Sequence, residues 1–210
     1  IDCDESQIEK VSENKTIFLS YCQKDSDIAD LIDEQLGEQI KGKATISRDI
    51  RDVEYHESFK RFMQSIEQHD YVITVISDSY FKSRNCMYEV LEVVKDSRFS
   101  DKLVFIVLRD EDCQYYKTPQ ANGIAANVYS TEGQTSYSIF WKHHEIELQK
   151  QIDELGDPTY AITQIKEKKV IQKILLDLPE FIEFVRDSKG LSLTEHIAHN
   201  FSDIIKFMNL

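Results

Sequence analysis

The sequence predicts an α/β fold, a parallel five-stranded sheet in the doubly wound order 2-1-3-4-5, covered by helices on both faces and followed by a C-terminal helical extension. Three observations carry this expectation. Five short apolar runs alternate with segments of helical period, which is the pattern of successive βα units. Two of the runs, residues 72–76 and 104–108, are apolar almost throughout instead of alternating, as strands buried on two faces are. At 210 residues the chain is long enough for one full core and a small addition.

The predicted strands are residues 16–20, 44–47, 71–77, 103–108 and 127–129. Between the first two, Ile28, Leu31, Ile32 and Leu36 recur at helical spacing, and Gly37 and Gly42 offer stop signals. A second helix carries Phe59, Phe62, Met63 and Ile66 on one face, and a third carries Met87, Val90, Leu91 and Val94; both stripes read as core. The two wholly apolar strands belong mid-sheet. Residues 109–126, with Pro119, Asn122 and Gly123, have no period and read as a long loop. A helix over 136–155 follows, with Ile139, Phe140, His143, Ile146 and Ile152 roughly on one side and Gly156, Asp157 and Pro158 ending it. The last section predicts helices over 162–178 and 179–186, then one after Gly190, where Ser192 and Glu195 fit a capping box. Phe201, Ile204, Ile205 and Met208 give that final helix a buried face. The expected organisation is a leader over 1–14, the α/β domain over 15–155, and a helical extension or linker toward a further domain over 156–210. The chain opens on Ile1 and not Met, as a fragment or processed chain does.

A formal charge of −13 disfavours direct nucleic-acid contact and anionic membrane surfaces, both of which need clustered Lys and Arg. Cys3, Cys22, Cys86 and Cys113 have neither the paired spacing of a zinc site nor the density of a disulfide scaffold, so reduced thiols in the cytoplasm are expected. No apolar run approaches the roughly 20 residues of a membrane span, and residues 1–10 are too acidic for a signal peptide. His143 and His144 lack ligand-spaced partners, so no metal is expected.

Ligands of open α/β sheets collect at the carboxyl ends of the strands. Those ends present Ser20, Tyr21 and Cys22, then residues 47–52, then 77–80. None of the six glycines builds a phosphate-cradling loop after a strand, which disfavours a hydride-transferring dehydrogenase or a nucleotide kinase. A phosphate-accepting receiver domain needs an acidic pair after strand one and an Asp after strand three, where this chain has Ser20 and Ser77.

Four segments in order carry a resemblance. Residues 16–21 (TIFLSY), with Asp25, Ala29 and Leu31 downstream, resemble the opening strand and helix of TIR (Toll/interleukin-1 receptor) domains, a flavodoxin-like fold. Residues 46–52 (ISRDIRD) resemble the second strand and its following loop. Residues 71–79, with Tyr80, Ser83, Cys86 and Glu89, resemble the third strand and the Ser, Trp-Cys, two residues, Glu pattern of the next helix. The Phe140-Trp141 helix is similar to bacterial members. The chain departs from the pattern at Asn85, where a Trp commonly stands, and after Asp52, where many members have Gly.

The resemblance implies an NAD glycohydrolase with Glu89 as its catalytic carboxylate, NAD as substrate, no separate cofactor, and activation by TIR–TIR self-association in an antiphage defence or signalling effector. It equally admits a non-catalytic scaffold that recruits other TIR domains. Read from pattern alone, Glu89 is as ordinary as any solvated helix carboxylate and is not set apart from Glu92. Ser20 and Tyr21 fit substrate contacts or a simple turn. Cys86 is implied beside the substrate by its place in the motif. Arg48, Asp49 and Arg51 fit dinucleotide phosphates, a neighbouring protomer or an exposed charged loop. Phe59 resembles an aromatic near the pocket, although its stripe makes it a core candidate.

Overall fold

Side-chain alternation along three strands sets the architecture of the computed structural model, which describes residues 14–48, 64, 66–95, 99, 101–118, 123–188 and 191–210. Strands β1 (Lys15–Ser20), β2 (Ala44–Arg48), β3 (Tyr71–Ile76) and β4 (Leu103–Val107) are parallel, in the order β2-β1-β3-β4. Successive residues of a strand point to opposite faces. Phe18, Val72, Ile76, Phe105 and Val107 therefore join one buried cluster, and Ile17, Leu19, Ile73, Val75, Ile106 and Leu108 join another.

Each cluster is closed by its own helical layer. The first takes α3 (Arg84–Val94), α4 (Thr131–Leu155) and α5 (Ile162–Asp187), which contribute Met87, Trp141 and Phe181 among others. The second takes α1 (Ser26–Gln39), α6 (Leu193–Ala198) and α7 (Ser202–Phe207), through Ile32, Leu193 and Ile204. A short helix α2 (Asp78–Lys82) links β3 to α3. The helices beyond Gly156 thus lie against both faces of the sheet. Gly156, at φ +68°, ends α4 as expected, and the Ser192–Glu195 capping box forms, with Ser192 N–H donating to Glu195 Oε2 at 2.7 Å.

The α/β class and its parallel order match the expectation, but the sheet has four strands among the described residues, not five. Residues 127–129 are coil, with Val128 buried and Asn127 and Tyr129 exposed. Their donors are used locally: Asn127 N–H donates to the Tyr137 hydroxyl at 3.1 Å, and Val128 N–H turns back to the Ala126 carbonyl at 2.8 Å. Two of the three N–H groups are thus unavailable to a ladder. β4 therefore lies at an edge of the sheet and not in its middle; Val107 N–H meets the Leu191 carbonyl at 3.3 Å there.

Three helical expectations also change. α4 starts at Thr131, not residue 136, because the Ser130 side chain caps it by accepting from Gly133 N–H at 3.0 Å. Its buried face is Gly133, Tyr137 and Trp141, while Ile139 and Ile146 are half exposed. The aromatic residues bury because their polar atoms find partners, the Trp141 indole N–H donating to the Phe81 carbonyl at 3.0 Å. α5 runs unbroken through Pro179, where two helices were expected; Leu178, Phe181, Ile182 and Val185 are buried around it, which offsets the hydrogen bond that proline removes. Within 109–126 lies a 3-10 turn, Asp110–Tyr115. Its buried Asp112 accepts from Arg109 N–H at 2.8 Å, Thr194 N–H at 2.8 Å and the Thr194 hydroxyl at 2.7 Å, fastening this segment to the start of α6.

Gly133 makes the closest helix-to-coil approach: a Cβ there would sit 2.1 Å from the Asn127 carbonyl oxygen. Gly37, inside α1, has nothing within 4 Å of the same position. Gly133→Ala is expected to destabilise the protein by about 1–3 kcal/mol or more, because backbone must move. Gly37→Ala is expected to stabilise it by about 0.5–1 kcal/mol through helix propensity. Chemical denaturation of the pair checks this, and equal shifts in one direction contradict it.

Candidate functional site

The carboxyl ends of β1 and β3 open on one cleft. After β1 the chain passes Tyr21 and Cys22 into a 3-10 turn, Gln23–Asp25, that leads into α1. After β3, Ser77 caps α2, its side chain accepting from Tyr80 N–H at 2.9 Å, and Ser83 caps α3, accepting from Cys86 N–H at 3.4 Å. The two chain turns face each other across a cavity of about 580 Å³. Tyr21, Cys22 and Lys24, from the turn after β1, and Lys82, Asn85 and Cys86, from the turns after β3, line it. That size suits a small-molecule ligand.

Asp25 holds the floor together. It is buried, accepts from the Ser77 hydroxyl at 2.5 Å and from the Tyr116 hydroxyl at 2.7 Å, and so ties the turn after β1 to the end of β3 and to the segment after β4. Burial raises its carboxyl above the ordinary carboxylate value, against the lowering effect of the two hydroxyls. The same burial, with Asp25 beside it, raises Tyr116, which stays a protonated donor. Lys82 pairs with Asp78 at 2.8 Å, while Lys24 makes no ion pair among the described residues.

Glu89 stands one turn beyond Cys86 on α3 and is only 2% exposed, so it is a buried carboxylate and not a solvated one. It is not itself in the lining of the cleft. Glu92, indistinguishable from it by sequence pattern, is partly exposed and pairs with Lys173 of α5. Ser20 is buried at the end of β1, and its hydroxyl has no hydrogen-bond partner among the described residues, which costs about 1–3 kcal/mol unless water or a ligand answers it. Tyr21 and Cys86 reach the cleft.

Arg48 does not reach it. Its guanidinium is held on α1 by Asp30 at 2.6 Å and Asp33 at 3.2 Å, which raises the pKa of the Arg and lowers that of Asp30. Asp49, Arg51 and Phe59 lie outside the described residues. Sequence reasoning placed Cys22 at a ligand-facing strand end without giving it a role, missed Lys24 and Tyr116 as cleft or floor residues, and saw Asp25 only as a motif position. An acidic residue between a strand end and an amphipathic helix reads as a cap, and no periodic signal marks its burial.

A family model described as "TIR domain" matches residues 17–154. No curated protein matches the chain. Among solved structures, the crystal structure of a prokaryotic SEFIR domain is similar at 16% identity, over 59% of this chain and 87% of that one, with a TM-score of 0.36. No helix among the described residues is long and apolar enough to cross a membrane.

Asp25 also predicts a pH dependence. A carboxyl whose pKa is higher folded than unfolded takes up a proton on folding, so its stabilisation is fullest below the unfolded value near 3.8 and is lost as pH rises through the folded one. The stability difference between wild type and Asp25→Asn is therefore expected to fall with rising pH across the mildly acidic range, by at most about 1.4 kcal/mol per pH unit. Urea unfolding at a series of pH values reads it directly. A difference that rises over that range contradicts the assignment.

Proposed function

Because the chain belongs to the TIR domain family, which includes NAD-cleaving members and whose domains generally self-associate, we propose that it is an NAD glycohydrolase whose activity depends on assembly. The observation that carries this reading is the burial of Glu89 one turn beyond the cleft-lining Cys86, in the family's Cys, two residues, Glu spacing. A carboxylate removed from water interacts strongly with any positive charge brought beside it. Its burial also argues against a merely solubilising role.

Breaking the bond between nicotinamide and ribose puts positive charge on the sugar, as in glycoside hydrolysis. Nicotinamide departs with the bonding electron pair on its ring nitrogen and becomes neutral. Glu89 orients the ribose hydroxyls and stabilises the developing cation. Water then forms the new bond and loses a proton, giving ADP-ribose, or an adenine nitrogen forms it and gives a cyclic isomer. In this reading Lys24, on the cleft lining and with no ion pair among the described residues, meets the pyrophosphate. A defence or signalling effector triggered by assembly, with cytoplasmic NAD as its target, is the setting this chemistry fits.

The position of Glu89 outside the lining favours a requirement for assembly, since a shift of the turn over residues 83–86 or a wall supplied by a second copy opens the carboxylate to ribose. The same position supports a second reading, a TIR scaffold without turnover.

Glu89→Gln keeps side-chain shape and removes charge. It is expected to lower NAD cleavage at least about a hundredfold with circular dichroism unchanged. Glu92→Gln, which loses only the pair with Lys173, is expected to keep most activity. Chromatographic separation of nicotinamide and ADP-ribose products measures both. Equal loss in the two variants assigns the effect to fold or general charge. Wild-type specific activity is further expected to climb from nanomolar to high micromolar protein; a flat profile removes the assembly requirement, and no turnover even under crowding leaves the scaffold.

A further inference from the structure

Two thiols meet in the cleft, brought from separate parts of the chain. Cys22 follows β1 and Cys86 lies in the first turn of α3; both line the cavity, and both are less than a tenth exposed. The two thiols lie within hydrogen-bonding reach of each other, and the Lys24 backbone N–H is within reach of the Cys22 sulfur. These contacts pull the Cys22 thiol below its ordinary value, against the effects of burial and of the nearby Asp25 carboxylate. Neither is in a disulfide, and Cys113 is an exposed thiol on the 3-10 turn after β4. Two buried sulfurs in contact at the wall of an open cleft are an arrangement that ordinary apolar packing does not require.

We propose that Cys22 and Cys86 form a redox-active dithiol that a small hydroperoxide, entering through the cleft, oxidises to a disulfide. Cys22 is assigned as the attacking sulfur, because the Lys24 backbone N–H beside it favours its thiolate. Its thiolate attacks the peroxide oxygen; the O–O bond breaks, and the departing oxygen leaves as water, or as an alcohol, after taking a proton. Cys22 becomes a sulfenic acid. The Cys86 sulfur then attacks it, the S–O bond breaks, and hydroxide leaves as a second water with the Cys86 proton. Two thiols lose two electrons and two protons, and one peroxide is reduced. The bond links the turn after β1 to the start of α3, across the two walls of the cleft. A dithiol reduces it again by exchange.

The test treats the reduced, folded full chain with graded hydrogen peroxide, blocks remaining thiols with an alkylating reagent, and digests with trypsin without reduction. The expected product joins peptides 16–24 and 85–95, lighter by two hydrogens than their sum, and it disappears after dithiothreitol. It is expected at peroxide doses that leave Cys113 alkylated. In Cys86→Ser the Cys22 sulfenic acid has no resolving partner and is expected to be trapped by dimedone; in Cys22→Ser, Cys86 is expected to stay alkylated. Alkylation of both cysteines at doses that oxidise Cys113 overturns the proposal, as does separate sulfinic acid formation on either without the cross-link. Undiminished peroxide sensitivity of Cys86 in Cys22→Ser overturns the assignment of the attacking sulfur. Each readout is independent of NAD cleavage.

Discussion

Strands that bury both faces impose a demand on everything around them. In β1, β3 and β4, neighbouring residues such as Ile17 and Phe18, Val72 and Ile73, and Phe105 and Ile106 go to opposite clusters, and almost none of these side chains is polar. Each face, if left open, exposes several large apolar groups, at roughly 1.5–3 kcal/mol for each. Two helical layers are therefore obligatory. α1 and α3 alone cannot supply them, and the helices beyond Gly156 complete the cover on both sides.

That constraint also locates the cleft. Helices packed on opposite faces diverge where the strands end, and the turns that carry the chain from β1 to α1 and from β3 to α2 are left facing each other. The turns need internal polar partners because they sit beside a dry core. Asp25 provides them through Ser77 and Tyr116, and Asp112 does similar work where the segment after β4 meets α6. The floor of the cleft is thus a small polar network that three strands share, and the side chains projecting above it are mounted on a rigid base.

What could be read from the sequence was what depends on period and punctuation. Apolar runs located four strands, the Met87, Val90 and Leu91 stripe located α3, Gly156 ended α4, and the Ser192–Glu195 pair marked the start of α6. Errors arose where a local rule met tertiary contacts. Residues 127–129 have strand composition, yet the N–H groups of Asn127 and Val128 are taken by Tyr137 and by a tight turn. Ile139 and Ile146 share one side of their helix, yet it is Tyr137 and Trp141 that occupy the buried face beside Phe81. Pro179 looked like a break, yet burial on both sides of it carries the helix through. For the cleft, motif spacing picked out Cys86 in the lining, but it gave no means of separating the buried Glu89 from Glu92, because helical spacing does not say which neighbours cover a side chain. Arg48 was misleading for the opposite reason: its partners, Asp30 and Asp33, lie on the preceding helix, at a distance that no spacing rule joins to it.

The path of α5 bears on how portable this unit is. Phe181 stacks near Phe81 and Phe105, with ring centroids 5.6 and 6.2 Å away, and Phe184 meets Phe105 edge-on at 5.6 Å. A graft that stopped at Leu155 would carry the cleft residues into a chimera and leave those rings behind. It would arrive with a bare aromatic wall on one flank, attractive to chaperones and to its own copies, and any clustering it then displayed would report the cut and not the cleft.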